Sequence, residues 1–197
     1  VGTGAKISGI SITFQDQIIP AFTLASILRK KMPEIKIVLG GQIMTRCYET
    51  MLSNGSDLKK YYDYLVLWDG EEPFHDIHRK VVNGEDVELI NAIDASSVTH
   101  EIKRKSKAPK GAEIPPADYS DIDFNQYFFP EMLIPFQTTR GCYAKCGFCA
   151  IPYGSNSYRI RTTSDIIDDL VSIQDYTEER FGRRATFFKF MEDTSSP

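Results

Sequence analysis

The sequence predicts an α/β protein with two folded regions, and three observations carry that expectation. Between Ile7 and Val82, short β-rich runs alternate with segments of helical periodicity, the signature of βαβ units around a parallel sheet. From about Asn91 to Pro130 the periodicity disappears. From Met132 onward it returns as strand, cysteine-bearing loop, helix and strand. The expected organisation is a sheet region over 1–90, a linker over 91–130 and a second folded region over 131–197.

Each element follows from local chemistry. Ile7 to Phe14 is a β-rich run. Ile18 to Met32 spaces Leu24, Ile27 and Leu28 as a helix does, and Pro33 stops it. Ile35 to Leu39 is a second strand ending in Gly40-Gly41, followed by a helix around Thr45 to Ser53 and the turn pair Asn54-Gly55. Tyr64 to Trp68 is the third strand, and Asp69-Gly70-Glu71-Glu72-Pro73 opens a helix that runs to about Val82, where Asn83-Gly84 ends it. In the second region Met132 to Gln137 is a strand. Ser164 to Phe181 repeats Ile166, Ile167, Leu170, Val171 and Ile173 as an amphipathic helix, capped by Thr163 or Ser164 with Asp165, and Ala185 to Phe190 is the closing strand.

Composition narrows the function classes. The 197 residues are 42% hydrophobic and 25% charged, the range of globular proteins, with a formal net charge of -4 that gives no reason to expect nucleic acid. The basic run Lys103 to Lys110 sits in the unpatterned connector and reads as a solvated loop. No apolar run approaches the roughly 18 residues that span a bilayer, and the opening Val1-Gly2-Thr3-Gly4 has no charged-then-apolar leader. The expectation is a cytoplasmic protein without membrane or nucleic-acid partners. Of four cysteines, three crowd into eight positions, which suits metal binding in a reducing compartment better than a disulfide framework; Cys47 stands alone and reads as a small buried hydrophobe.

The crowded segment is Arg140-Gly141-Cys142-Tyr143-Ala144-Lys145-Cys146-Gly147-Phe148-Cys149, its thiols separated by three and then two residues. Iron–sulfur cubanes usually take four protein thiolates, so a three-thiolate loop leaves one iron open to an exogenous ligand. S-adenosylmethionine chelating that iron through its amino and carboxylate groups can accept one electron at its sulfonium and release a 5'-deoxyadenosyl radical. A structural zinc site is the alternative. Zinc favours four protein ligands, commonly in two pairs, and here no second pair exists, while His75, His78 and His100 lie well upstream.

The cysteine spacing, the preceding strand and the aromatic Phe148 before the last cysteine resemble the radical S-adenosylmethionine (radical SAM) superfamily. The resemblance implies that Cys142, Cys146 and Cys149 hold a [4Fe-4S] cluster on the loop after the first strand of a partial (β/α) TIM-like barrel. It further implies that Phe148 packs near the adenine. Glu192 and Asp193 fall where contacts to the amino group of S-adenosylmethionine are implied, although acidic residues ending a strand are also ordinary loop punctuation.

The upstream half resembles the cobalamin-binding, Rossmann-like domain of a methyltransferase-like subgroup, on Gly9-Ile10-Ser11-Ile12-Thr13, Gly40-Gly41-Gln42-Ile43-Met44-Thr45 and Asp69-Gly70-Glu71-Glu72-Pro73. Each motif stands at a strand's carboxyl end, where open α/β sheets bind ligands. Individually, Gly-Gly after a strand is first of all a turn, and Ser or Thr in a strand a packing choice. Ser11, Thr13, Gly40, Gly41 and Gly70 are the implied cobalamin contacts; the Asp-x-His-x-x-Gly motif that supplies a lower-ligand histidine in many such domains does not occur.

The expectation is therefore the later part of a cobalamin-type Rossmann-like sheet followed by the start of a radical SAM barrel. Such a fragment is expected to be inactive alone. Its parent would be a radical enzyme that methylates, or otherwise modifies, a peptide or small-molecule natural product, fed by an electron donor such as flavodoxin or ferredoxin. Radical chemistry with a degenerate cobalamin domain, and a zinc-stabilised binding module without catalysis, are the alternatives.

Overall fold

The computed structural model describes residues 4–54, 57–97, 102–103, 117–128, 131–144, 146–149 and 158–192. The chain divides into two units, Val1–Ala108 with Gly147–Asn156 and Pro109–Cys146 with Ser157–Pro197.

In the first unit, β1 (Ile7–Ser11), β2 (Lys36–Gly40) and β3 (Tyr64–Val66) run parallel, and β4 (Ala92–Asp94) closes the order β1-β2-β3-β4 antiparallel to β3. Helices α1 (Ile18–Lys31), α2 (Gln42–Asn54) and α3 (Glu71–Val82) make the connections. Period-two alternation sorts the strand residues onto two faces. Ile37, Leu39, Leu65 and Ile93 join Ala21 and Ala25 of α1 and Met44 and Met51 of α2 in one core. Val38, Tyr64, Val66 and Ala92 join Ile77 of α3 in another. Apolar residues on both faces are what a helix-covered parallel sheet requires.

Two details depart from sequence expectation. On α1 the fully buried residues are the small Ala21 and Ala25, one turn apart, with Phe22 and the expected Leu28 packed beside them, while Leu24 and Ile27 are exposed; alanine lets the helix lie close to the sheet. The interval 91–130, expected as a linker, contributes at both ends. Ala92–Asp94 adds β4 to the first sheet, and Tyr119 and Phe124 enter the core of the second unit. Of the basic run, only Lys103 lies within the described residues, where it pairs with Glu88.

The second unit is built on a βαβ element. β5 (Leu133–Phe136) pairs in parallel with β8 (Phe187–Phe190), joined through α4 (Thr163–Phe181). Met132, Ile134, Phe136, Ile173 and Ala185 form its core with Tyr119 and Phe124, and Ile166 and Leu170 pack against it. Ile167 and Val171 face outward. The helix N-cap is Thr162, one residue before the expected position, its hydroxyl accepting the Asp165 N–H at 3.2 Å; Gly182, at φ 65°, ends the helix in the left-handed conformation. A short antiparallel ribbon of β6 (Thr139–Arg140) and β7 (Arg159–Ile160) joins the two ends of the cysteine-bearing segment. Among the described residues the second unit holds this parallel pair and this ribbon, and no helix of either unit is long and apolar enough to cross a membrane.

Candidate functional site

At the carboxyl edge of the first sheet, β1 continues as Ile12, whose N–H donates to Gly40 O at 2.8 Å and whose carbonyl accepts Ile43 N–H at 3.1 Å. Gly41 fits between them only as glycine. Its φ is +97°, and a Cβ there would stand 2.5 Å from Ile12 O. From the start of α2, Thr45 is buried and its hydroxyl accepts the Trp68 N–H at 2.8 Å, supporting Trp68 in a left-handed backbone at φ 60°.

These approaches leave a cleft of about 330 Å³ beside β1. Ser11, Gly40, Gly41 and Gly70, four of the five residues singled out upstream, line it together. Thr13 does not line it. Its backbone N–H instead donates to Gln17 Oε1 at 2.8 Å, fixing the turn into α1. Sequence reasoning missed the walls, Trp68 and Phe74, and the floor of Val38 and Val66. Gly9, quoted in the first motif, lets the Phe74 ring lie over β1, since a Cβ there would meet Phe74 at 3.0 Å. The available signal was the aromatic following the third glycine motif, four residues after Gly70. The cleft combines an apolar floor, aromatic walls and closely approachable backbone, a lining suited to a flat organic group.

In the second unit the cysteine loop leaves β6 through Gly141, buried at φ 79°. Cys142 is half-buried and its Sγ accepts the Ala144 N–H at 3.4 Å. Such a bond places partial positive charge beside an atom that a cluster iron would use. The Tyr143 ring packs edge-on against Tyr158 at 5.3 Å between centroids, and the Tyr158 hydroxyl is buried without a hydrogen-bond partner. Cys146 is exposed; Cys149, in the stretch Gly147–Asn156 that belongs to the first unit, is half-buried, and neither is bridged. Phe148 is 94% exposed.

Three unbridged thiols in eight positions are the donor set that an open-cornered cubane takes, so the residues fit that group in kind. Among the described residues, no three His, Cys, Asp or Glu side chains are gathered into a metal-holding group. Cys47, on α2, packs half-buried against the first core.

Glu192 follows β8. Its Oε1 accepts the Thr138 N–H at 3.0 Å and also the Thr138 hydroxyl, while Met191 N–H donates to Phe136 O at 2.8 Å. The carboxylate thus ties together the carboxyl ends of β5 and β8, the edge from which the cysteine loop departs. Asp193 and His100 lie outside the described residues.

Comparison with known proteins gives a partial likeness to a curated protein. No family model matches the chain. Over 66 residues the chain is 38% identical to the bacteriochlorophyllide d C-12(1)-methyltransferase of Chlorobaculum tepidum, a likeness covering 32% of this chain and 13% of that protein. The matched stretch is a small part of the relative, and the likeness is a distant link to a methyltransferase.

Proposed function

We propose that this chain is part of a cobalamin-dependent radical SAM enzyme that methylates a peptide or small-molecule natural product. The observation that carries the reading is the trio Cys142, Cys146 and Cys149, unbridged and spaced by three and two residues, on the loop that follows β5 of a βαβ element. The likeness to a methyltransferase supports the class of reaction. The glycine-lined cleft at the sheet's carboxyl edge supports the reception of a cofactor's nucleotide arm in the first unit.

Within this reading the residues divide their work. Cys142, Cys146 and Cys149 would hold a [4Fe-4S] cluster, which when bound supplies one electron to S-adenosylmethionine. The Ala144 N–H tunes the sulfur of Cys142. Glu192 holds the strand ends together through Thr138 and stands at the edge where the amino group of S-adenosylmethionine would be received. Ser11, Gly40, Gly41 and Gly70 admit the nucleotide arm of cobalamin, and Trp68 and Phe74 exclude water from it. The parent enzyme is proposed to work in the cytoplasm with a flavodoxin- or ferredoxin-type donor.

Anaerobic reconstitution with iron and sulfide tests the reading. About four irons per chain with broad visible absorbance support it, and the iron must fall away in Cys142→Ser, Cys146→Ser and Cys149→Ser. Stoichiometric zinc and a colourless protein would favour the structural module. Retention of corrinoid through gel filtration tests the first unit separately.

A further inference from the structure

The chain returning from the cysteine loop carries a donor that the fold itself does not use. Among the described residues, the buried side-chain polar atoms left without a hydrogen bond are Arg29 Nε, Arg161 Nε and the Tyr158 hydroxyl. The two Nε atoms belong to guanidinium groups already held through another nitrogen, Arg29 by Asp63 at 2.7 Å and Arg161 by Asp169 at 2.6 Å. The Tyr158 side chain has no second polar group, so its hydrogen-bonding capacity is wholly unmet. A hydroxyl buried in that state costs free energy until an acceptor meets it.

Tyr158 stands at the base of the loop. β6 and β7 pair Thr139 with Ile160 and Arg140 with Arg159, so the next step of the register sets Tyr158 across from Gly141, the residue before Cys142. From the other side of Cys142, the Tyr143 ring packs edge-on against Tyr158 at 5.3 Å between centroids. The tyrosine is thus bracketed by both chain neighbours of the first thiol. A ring needed for packing alone would be served by phenylalanine, which makes the same edge contact and hides no polar atom. Nor does the thiol satisfy the hydroxyl: Cys142 Sγ accepts the Ala144 N–H at 3.4 Å, and Tyr158 stays unpaired beside it.

We propose that the Tyr158 hydroxyl is a donor kept for a sulfide of the cluster on its Cys142 side, and that it raises the cluster's reduction potential. The inference rests on the cubane reading of the three cysteines. Reduction adds negative charge to the cluster, and a hydrogen bond donated to its sulfur favours the reduced form. Tyr158 and the Ala144 N–H then act alike, the one on a sulfide and the other on the Cys142 thiolate.

Two measurements on the full chain test this, one without metal and one with it. In the metal-free chain, Tyr158→Phe is expected to leave the urea midpoint unchanged or higher, because it removes an unpaired buried hydroxyl. Tyr176→Phe gives up hydrogen bonds to Ser120 O at 3.3 Å and Tyr119 O at 3.4 Å and is expected to lower it. In the anaerobically reconstituted chain, a redox titration followed by electron paramagnetic resonance is expected to reverse that order. At a fixed potential the reduced-to-oxidised ratio falls at least about threefold in Tyr158→Phe and stays within about 1.5-fold of native in Tyr176→Phe. If Tyr158→Phe takes up iron poorly, Tyr158→His, which returns a ring N–H donor, is expected to restore the uptake, and its failure to do so counts against the donor role. A lowered midpoint in metal-free Tyr158→Phe means that the hydroxyl already has a partner and overturns the proposal. Equal potentials in the native and phenylalanine forms overturn it and leave the cubane reading intact, whereas a native chain that takes up no cubane overturns both.

Discussion

The hydroxyl of Thr45, buried at the start of α2, accepts the backbone N–H of Trp68 at 2.8 Å and so links the helix to the end of the third parallel strand. Trp68 is the chain's one tryptophan and stands at φ 60°, a conformation that bulky residues hold only when neighbours support it. Thr45→Val keeps the shape and removes the acceptor. It is expected to destabilise the first unit by about 1–3 kcal/mol and to red-shift Trp68 emission, whereas Thr45→Ser retains both properties. Denaturant unfolding followed by tryptophan fluorescence checks this directly.

Adjacent glycines make a sharper comparison. Gly41→Ala brings a Cβ within 2.5 Å of Ile12 O at φ +97°, so backbone must move, and a loss of more than about 2 kcal/mol is expected. Gly40→Ala places its Cβ 3.5 Å from Val66 Cβ, an ordinary contact, and is expected to cost under about 1 kcal/mol while narrowing the cleft. Equal losses for the two variants would mean that the Gly41 approach is relieved elsewhere.

Asp63 carries a pH dependence whose sign is fixed by its surroundings. Burial alone would raise its pKa, but the Ile37 N–H at 2.9 Å, the Arg29 guanidinium and the Lys36 ammonium outweigh it and hold the carboxyl below the ordinary range. Its stabilisation is therefore fully present above the unfolded value of about 3.9 and is lost as pH falls through the depressed folded value. Asp63→Asn is expected to cost about 1–3 kcal/mol at pH 7 and to flatten the acid limb of a stability profile taken from pH 6 to pH 2.

Glu192 separates a strand tie from a ligand contact. Glu192→Ala leaves the Thr138 N–H without its acceptor and is expected to lower stability by about 1–3 kcal/mol in urea. Glu192→Gln keeps an oxygen acceptor and is expected to recover most of that loss. On the proposed function, the glutamine variant of the reconstituted parent still binds S-adenosylmethionine more weakly than the native protein, because the charge facing the amino group is gone.

Much of the architecture was legible along the chain because it is written in local chemistry. Ile7, Pro33, Gly41 and Gly84 mark beginnings and ends through β propensity, the missing proline N–H and glycine's access to positive φ. The cysteine spacing stands in plain view for the same reason, since eight consecutive positions need no fold to bring them near one another. Less legible was the depth of each face. Leu24 and Ile27 match the helical period as well as Ala21 and Ala25 do, and only packing against the sheet decides which pair is buried.

What the sequence determined by itself is the run of parallel strands with their connecting helices and the kind of donor in the cysteine loop, because both depend on residues within a few positions of one another. The tertiary structure alone decided which distant groups meet: Thr138 with Glu192, Thr45 with Trp68, and Arg29 with Asp63. Each of those meetings depends on how the chain crosses from one parallel strand to the next. That path is set by the burial of whole helix and strand faces, which no short window of residues contains.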